Sequence, residues 1–194
     1  MSNTPIILAS SSPFRRELLT KLQIQHQCIS PDIDETPKAD ESPKEISLRL
    51  SIEKAKEVAK SINTGLIIAS DQVAEVDGIA LGKPKTRENA IKQLMSMSGK
   101  TATFHTGLCL YNAETQKYQS CIEPFQVVFR TLNEQQVSNY VDKEDVLNCA
   151  GSFKSEALGI ALFEKLVGED PNSLIGLPLI KLTKMLEQEG VNIL

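Results

Sequence analysis

An α/β fold with a mixed, twisted sheet flanked by helices is what this sequence predicts, on three observations. Two short apolar runs, Ile6-Ile7-Leu8-Ala9 and Leu66-Ile67-Ile68-Ala69, read as buried strands. Well-marked helix starts alternate with them along the chain. Two later stretches, around residues 101–111 and 125–130, are rich in Thr, Val and Phe and suggest antiparallel pairing. Strands and helices interleaved in this way favour a mixed sheet with helical cover.

The elements follow in order. Ile6-Ile7-Leu8-Ala9 runs into Ser10-Ser11-Ser12-Pro13, where Ser12 can cap a helix and Pro13 suits its first turn. Leu18, Leu19 and Leu22 supply that helix with an apolar face. Ser42-Pro43-Lys44-Glu45 is a capping box with proline at the first helical position. Leu48, Ile52, Ala55 and Ala59 continue the second helix at helical spacing. The second strand ends in Ser70-Asp71-Gln72-Val73, and Asp77-Gly78 marks a hairpin turn. Thr86 opens a helix carrying Ala90, Leu94 and Met97, which Gly99 ends. A further helix is expected through Val137, Tyr140 and Val141, and a last one over residues 178–189, stopped by Gly190.

Composition narrows the function classes. With 194 residues, one sizeable domain or two small lobes is expected. No apolar run approaches the roughly 18 residues of a membrane span. Residues 1–5 lack a secretory leader pattern, which makes the cytoplasm the expected location. A net charge of -4 argues against sequence-independent binding to long nucleic acids, which needs a broad basic surface. A small anion remains open to it, because a few local cations can overcome a mildly acidic background. The four cysteines are scattered without metal or redox spacing and read as reduced, mostly buried thiols.

Four segments could carry chemistry. In Ser10-Ser11-Ser12-Pro13-Phe14-Arg15-Arg16, a strand end feeds a helix start, whose unpaired N–H groups and positive dipole end suit a phosphate. The plain alternative is a capped helix with two solvated arginines. Asp32-Ile33-Asp34-Glu35 offers clustered carboxylates to a hard cation such as Mg²⁺ or Mn²⁺, or is merely a polar loop. Asp71 follows an apolar strand and so arrives at a sheet edge, where it could bind metal or handle a water proton; the alternative is a turn aspartate. Lys54 and Lys83 are further cations, Lys54 within a charged helical run that ordinarily faces solvent. In Gly151-Ser152-Phe153-Lys154-Ser155-Glu156, small residues permit close approach of a ligand and Glu156 is an acceptor. His26 and His105 stand apart from these clusters and read as structural.

Taken together, the pieces Leu8–Arg16, Asp34-Glu35-Thr36, Glu53-Lys54-Ala55, Ser70-Asp71-Gln72, Gly82-Lys83-Pro84, Thr106-Gly107 and Gly151-Ser152-Phe153 resemble the Maf family of nucleotide pyrophosphatases in order and spacing. The similarity covers nearly the whole chain. The resemblance implies a single domain over residues 1–194, or two lobes around a central cleft, with a fold like that of the Maf and inosine-triphosphatase proteins. It implies hydrolysis of a nucleoside triphosphate to the monophosphate and pyrophosphate, helped by a divalent cation. Glu35 and Asp71 are then the expected metal ligands, with Asp71 also orienting or deprotonating the attacking water. Arg15, Lys54 and Lys83 are expected at the phosphates, with Ser10 and Ser12 completing the cradle.

Within the family, the sequence is most similar to the branch acting on 7-methyl-GTP. Phe14 stands where the broad pattern has arginine, Gln72 where it has threonine, and Glu156 where the UTP/dTTP branch has glutamine. An aromatic face suits a base made cationic by N7 methylation, and a carboxylate suits its N1–H and N2–H₂ donors. Phe14, Gln72 and Glu156 are therefore the expected base-selecting set. A UTP, dTTP or other non-standard nucleotide pyrophosphatase, and a nucleotide-binding regulator of cell division without significant catalysis, are the alternatives. A homodimer is a family-level expectation.

Overall fold

A computed structural model of the chain describes residues 4–194; the reading of residues 1–3 as lacking an export leader lies outside them. The strands are β1 (Ile6–Leu8), β2 (Gln27–Cys28), β3 (Leu66–Val76), β4 (Ile79–Leu81), β5 (Thr101–Asn112), β6 (Lys117–Phe129) and β7 (Phe163–Val167). The helices are α1 (Pro13–Lys21), α2 (Pro43–Ala59), α3 (Arg87–Met97), α4 (Glu134–Val141), α5 (Pro171–Ile175) and α6 (Leu179–Gln188). The sheet order is β2-β1-β3-β5-β6-β7, with β4 paired to β3 off that path. β1 pairs in parallel with both β2 and β3, while β3–β4 and β6–β7 are antiparallel, so the sheet is mixed as expected. Among the described residues no helix is long and apolar enough to cross a membrane.

The chain divides into two compact units, 1–71 with 106–123 and 170–194, and 72–105 with 124–169. In the first unit the strands alternate cleanly. Ile6, Leu8, Leu66, Ile68, Leu108 and Leu110 pack with Leu18 and Leu19 of α1 and with Leu182 and Leu186 of α6. Ile7, Ala9, Ile67, Ala69 and Cys109 pack instead with Ala55 and Val58 of α2. Burial on both faces explains why these strands read as unbroken apolar runs. Gly107 is required here: a Cβ on it would collide with the backbone of Ser47 and Leu48, so its absence lets α2 lie directly on β5.

The second unit is centred on edge-to-face contacts among Phe104, Phe129, Phe153 and Phe163, with ring centroids 4.9–5.6 Å apart. Its hairpin turns at Asp77 (φ 51°) and Gly78 (φ 79°), two consecutive positive φ values that fit an Asp-Gly turn. Asn133 caps α4 in a capping box with Gln136, and Thr86 caps α3.

Three sequence expectations change. β3 does not stop at Ala69 but runs through Asp71 to Val76, because its distal half pairs with β4; Asp71 is a strand residue rather than one just beyond a strand. β6 begins at Lys117, eight residues before Phe125, because residues 117–122 are exposed or half-buried and carry little apolar signal. The inward face of α2 is Ile46, Leu50, Lys54 and Val58, with Ser47, Ser51 and Ala55, whereas Leu48 and Ile52 are only half-buried. Lys54 interrupts that inward series, which shifts the apparent apolar stripe to its neighbours.

Candidate active site

The first unit brings two acidic candidates, Glu35 and Asp71, onto the ammonium group of Lys54. Four-residue spacing from Ile46 through Leu50 places Lys54 on the buried side of α2. Alternation along β3 sends Asp71 to the same side as Ile67 and Ala69, which is the side α2 covers. The result is a contact of 2.6 Å between Lys54 Nζ and Asp71 Oδ1. Glu35 approaches from the loop before α2, its Oε1 lying 2.7 Å from the same Nζ. Lys54 and Asp71 keep only 8% and 11% of their side-chain surface exposed, whereas Glu35 keeps 56%. The cation is thus buried, with one sheltered and one solvated carboxylate.

The loop that carries Glu35 is tied down on either side. Asp34 accepts from both the backbone N–H and the hydroxyl of Thr36, at 2.9 and 2.6 Å. These bonds hold its carboxyl below the usual carboxylate range. Arg49 of α2 donates to both oxygens of Glu41 (2.5 and 2.7 Å), to Glu53 (2.9 Å) and to the carbonyl of Thr36 (3.2 Å). That guanidinium holds the Glu41 carboxyl down at about 2. The acidic loop is therefore stapled to the helix that carries Lys54.

The segment from β1 into α1 forms as expected. Ser12 is the N-cap, its Oγ accepting from Arg15 N–H at 3.4 Å, and Ser10 Oγ accepts from Ser12 N–H at 3.1 Å. A hydroxyl that accepts still carries its own proton for another acceptor. Ser10 is buried, Ser12 and Phe14 half-buried. Arg15 is not a solvated arginine: its Nε donates to the carbonyl of Gly176 at 2.9 Å. Burial lowers its basicity, while the charges of Asp71 and Glu35 act in the opposite direction, so Arg15 lies within electrostatic reach of both carboxylates. A guanidinium remains a cation throughout.

The second unit holds Gln72, Lys83 and Glu156. Gln72 is half-buried, and Lys83 and Glu156 are exposed. The Cys149 thiol, pushed up by burial, feels Lys154, Glu156, Asp145 and Lys83, which puts these charges in one neighbourhood. Two further residues of the fourth candidate segment are engaged in packing and hydrogen bonding. Phe153 belongs to the aromatic core, and Ser152 donates to Gln93 at 2.5 Å. His105 pairs with Glu75 at 2.9 Å and His26 with the carbonyl of Ile24, in keeping with structural roles. All four cysteines are free thiols, but only Cys109 is fully buried, its thiol pushed up to about 12; the other three are half-buried rather than enclosed.

Sequence reasoning missed the segment from Asp170 to Gly176. Ser70 Oγ lies 2.8 Å from the carbonyls of both Gly107 and Gly176, and Thr106 Oγ1 donates to the carbonyl of Ser173 at 2.9 Å. Asp170-Pro171 is a helix-start signal and Gly176 a helix-stop signal, close enough together to mark the five-residue α5.

Among the described residues no group of three or more His, Cys, Asp or Glu gathers as a metal cage. The pair Glu35 and Asp71 nonetheless fits a divalent cation of the magnesium kind. Both already converge on one cationic nitrogen, and such ions commonly take one or two carboxylates with phosphate and water.

A family model described as Maf-like protein matches residues 5–189. A 7-methyl-GTP pyrophosphatase of Methylobacillus flagellatus is 50% identical over 190 residues, covering 98% of this chain and 99% of the relative. A 7-methyl-GTP pyrophosphatase of Vibrio parahaemolyticus is 51% identical over 194 residues, the full length of both chains. Among solved structures, the Staphylococcus aureus Ham1 protein superposes with a TM-score of 0.48 at 18% identity, covering 66% of this chain and 73% of that one.

Proposed function

The chain belongs to the Maf family, and from that premise we propose that it hydrolyses 7-methyl-GTP to 7-methyl-GMP and pyrophosphate. The observation that carries the chemistry is the convergence of Glu35 and Asp71 on Lys54 Nζ, with Arg15 in electrostatic reach. Acids alone would repel a polyphosphate and bases alone would leave no acceptor for a water proton; the first unit brings both to one place. The substrate reading rests on the two full-length relatives and on the residues at 14, 72 and 156.

Glu35 and Asp71 are the residues that would hold a divalent cation, Mg²⁺ or Mn²⁺, which when bound offsets charge on the phosphate oxygens. Asp71, anchored by Lys54, would orient the attacking water and accept its proton. Lys54 anchors that carboxylate and, with Arg15, supplies positive charge for the departing pyrophosphate; the family resemblance assigns Lys83 to the phosphates as well. Ser10, Ser12 and the first N–H groups of α1 add neutral donors to the cradle. The family resemblance makes Phe14, Gln72 and Glu156 the residues expected to select the base, since a ring face suits a cationic base and a carboxylate its N–H donors. Free thiols are in keeping with work in a reducing cytoplasm.

The test is a panel of 7-methyl-GTP, GTP, UTP and dTTP assayed for pyrophosphate release with Mg²⁺, Mn²⁺ or EDTA. Cation-dependent turnover with clear preference for 7-methyl-GTP is expected. Equal rates on all four would remove the base assignment, and no release from any would remove the enzyme reading.

A further inference from the structure

Arg15 is held by a single side-chain bond among the described residues, and the acceptor of that bond is itself built into the fold. The carbonyl of Gly176 receives Arg15 Nε at 2.9 Å and lies 2.8 Å from Ser70 Oγ. Ser70 is fully buried on β3 and is the immediate neighbour of Asp71. Adjacent strand residues face opposite sides, so Asp71 meets Lys54 on one side while Ser70 meets α5 on the other.

We propose that Ser70 and the Gly176 carbonyl form a positioning relay that registers the Arg15 guanidinium against the strand carrying Asp71. This deepens, and rests on, the pyrophosphatase reading. A helix as short as α5 does not hold itself in place. Its location is set by polar latches at each end. Asp170 accepts from Asn172 N–H at 2.9 Å and from Ile180 N–H at 2.8 Å, tying it to α6. Thr106 reaches Ser173 in its middle, and Ser70 reaches Gly176 at its end. Gly176 has φ 121°, a conformation side chains resist, and a Cβ there would lie 3.3 Å from Arg15 Nε. With Nε held, the swing of the guanidinium is restricted, and its terminal nitrogens form a fork suited to two phosphate oxygens. Ser70 carries one proton that lies within reach of both carbonyls, so its hydroxyl bridges the end of α5 to β5 while the Gly176 carbonyl also receives Arg15.

Two readouts on the full chain test this. The first is the ¹⁵N–¹H signal of Arg15 Nε, expected to be protected from exchange in the parent protein and to exchange about tenfold faster in Ser70→Ala. The second is a double-mutant cycle on 7-methyl-GTP turnover. Ser70→Ala is expected to lower kcat/KM about tenfold alone but less than about twofold in an Arg15→Ala background. An equal loss in both backgrounds, or an Nε signal unchanged by Ser70→Ala, overturns the relay. Gly176→Ala repeats the comparison from the other partner, and its unfolding midpoint separates loss of fold from loss of register. Absence of turnover in the parent protein strikes at the pyrophosphatase reading instead, and the Nε signal still decides the relay.

Discussion

Lys54 Nζ lies 2.6 Å from Asp71 Oδ1, joining a helix to a strand through a pair of charges that are nearly sealed from solvent. Breaking such a pair from one side leaves the other charge buried without compensation, which is far more harmful than losing a surface ion pair.

Replacing Asp71 by Asn preserves shape but removes the charge and the proton acceptor. Turnover should fall by at least about 100-fold. Far-ultraviolet circular dichroism should be unchanged. Near-normal pyrophosphate release from this variant would take Asp71 out of the catalytic role.

Lys54→Met removes the cation on which Glu35 and Asp71 converge. Glu35 can rehydrate because it is more than half exposed, but Asp71 cannot. A destabilisation of about 1–3 kcal/mol follows, less than a fully buried pair would give. Urea unfolding measures it, and a midpoint equal to that of the parent would contradict the burial argument.

Phe14→Arg puts a like charge beside a cationic base and removes the ring. The ratio of kcat/KM for 7-methyl-GTP to that for UTP should drop about tenfold or more. A ratio that does not move would show that Phe14 has no part in base choice.

Acid should loosen the loop that presents Glu35. Glu41 ordinarily titrates near 4.5, and Arg49 holds it at about 2 in the folded chain. A folded value below the unfolded one means that the pairing stabilises fully above about 4.5 and is lost as pH falls through about 2. Thermal midpoints measured from pH 6 to pH 2 should therefore fall less steeply in Glu41→Gln than in the parent, with the two curves converging at the acid end.

Much of the fold was legible because its signals are local. Ser12-Pro13, Ser42 with Glu45, Thr86 and Asp77-Gly78 each announce an element through chemistry completed within four residues, and each forms where it was read. The reach of β3 past Ala69 was not legible, because it depends on β4 folding back to pair with it. The candidate residues were visible as types and spacings, and the family resemblance supplied their order. The burial of Lys54 was not legible, because a lysine within an inward apolar series reads as part of the charged face until α2 is packed against β3.

The sequence by itself determined the α/β class, the caps and turns, the family, and which side chains have chemistry to offer. Tertiary structure alone decided that Glu35, Lys54 and Asp71 meet, and that Arg15 is gripped by a carbonyl at position 176. The physical reason is range. Capping and periodicity act over one or two helical turns, whereas these contacts join residues 17 to 161 positions apart, and their distances exist only once the strands are in register and both faces of the sheet are covered.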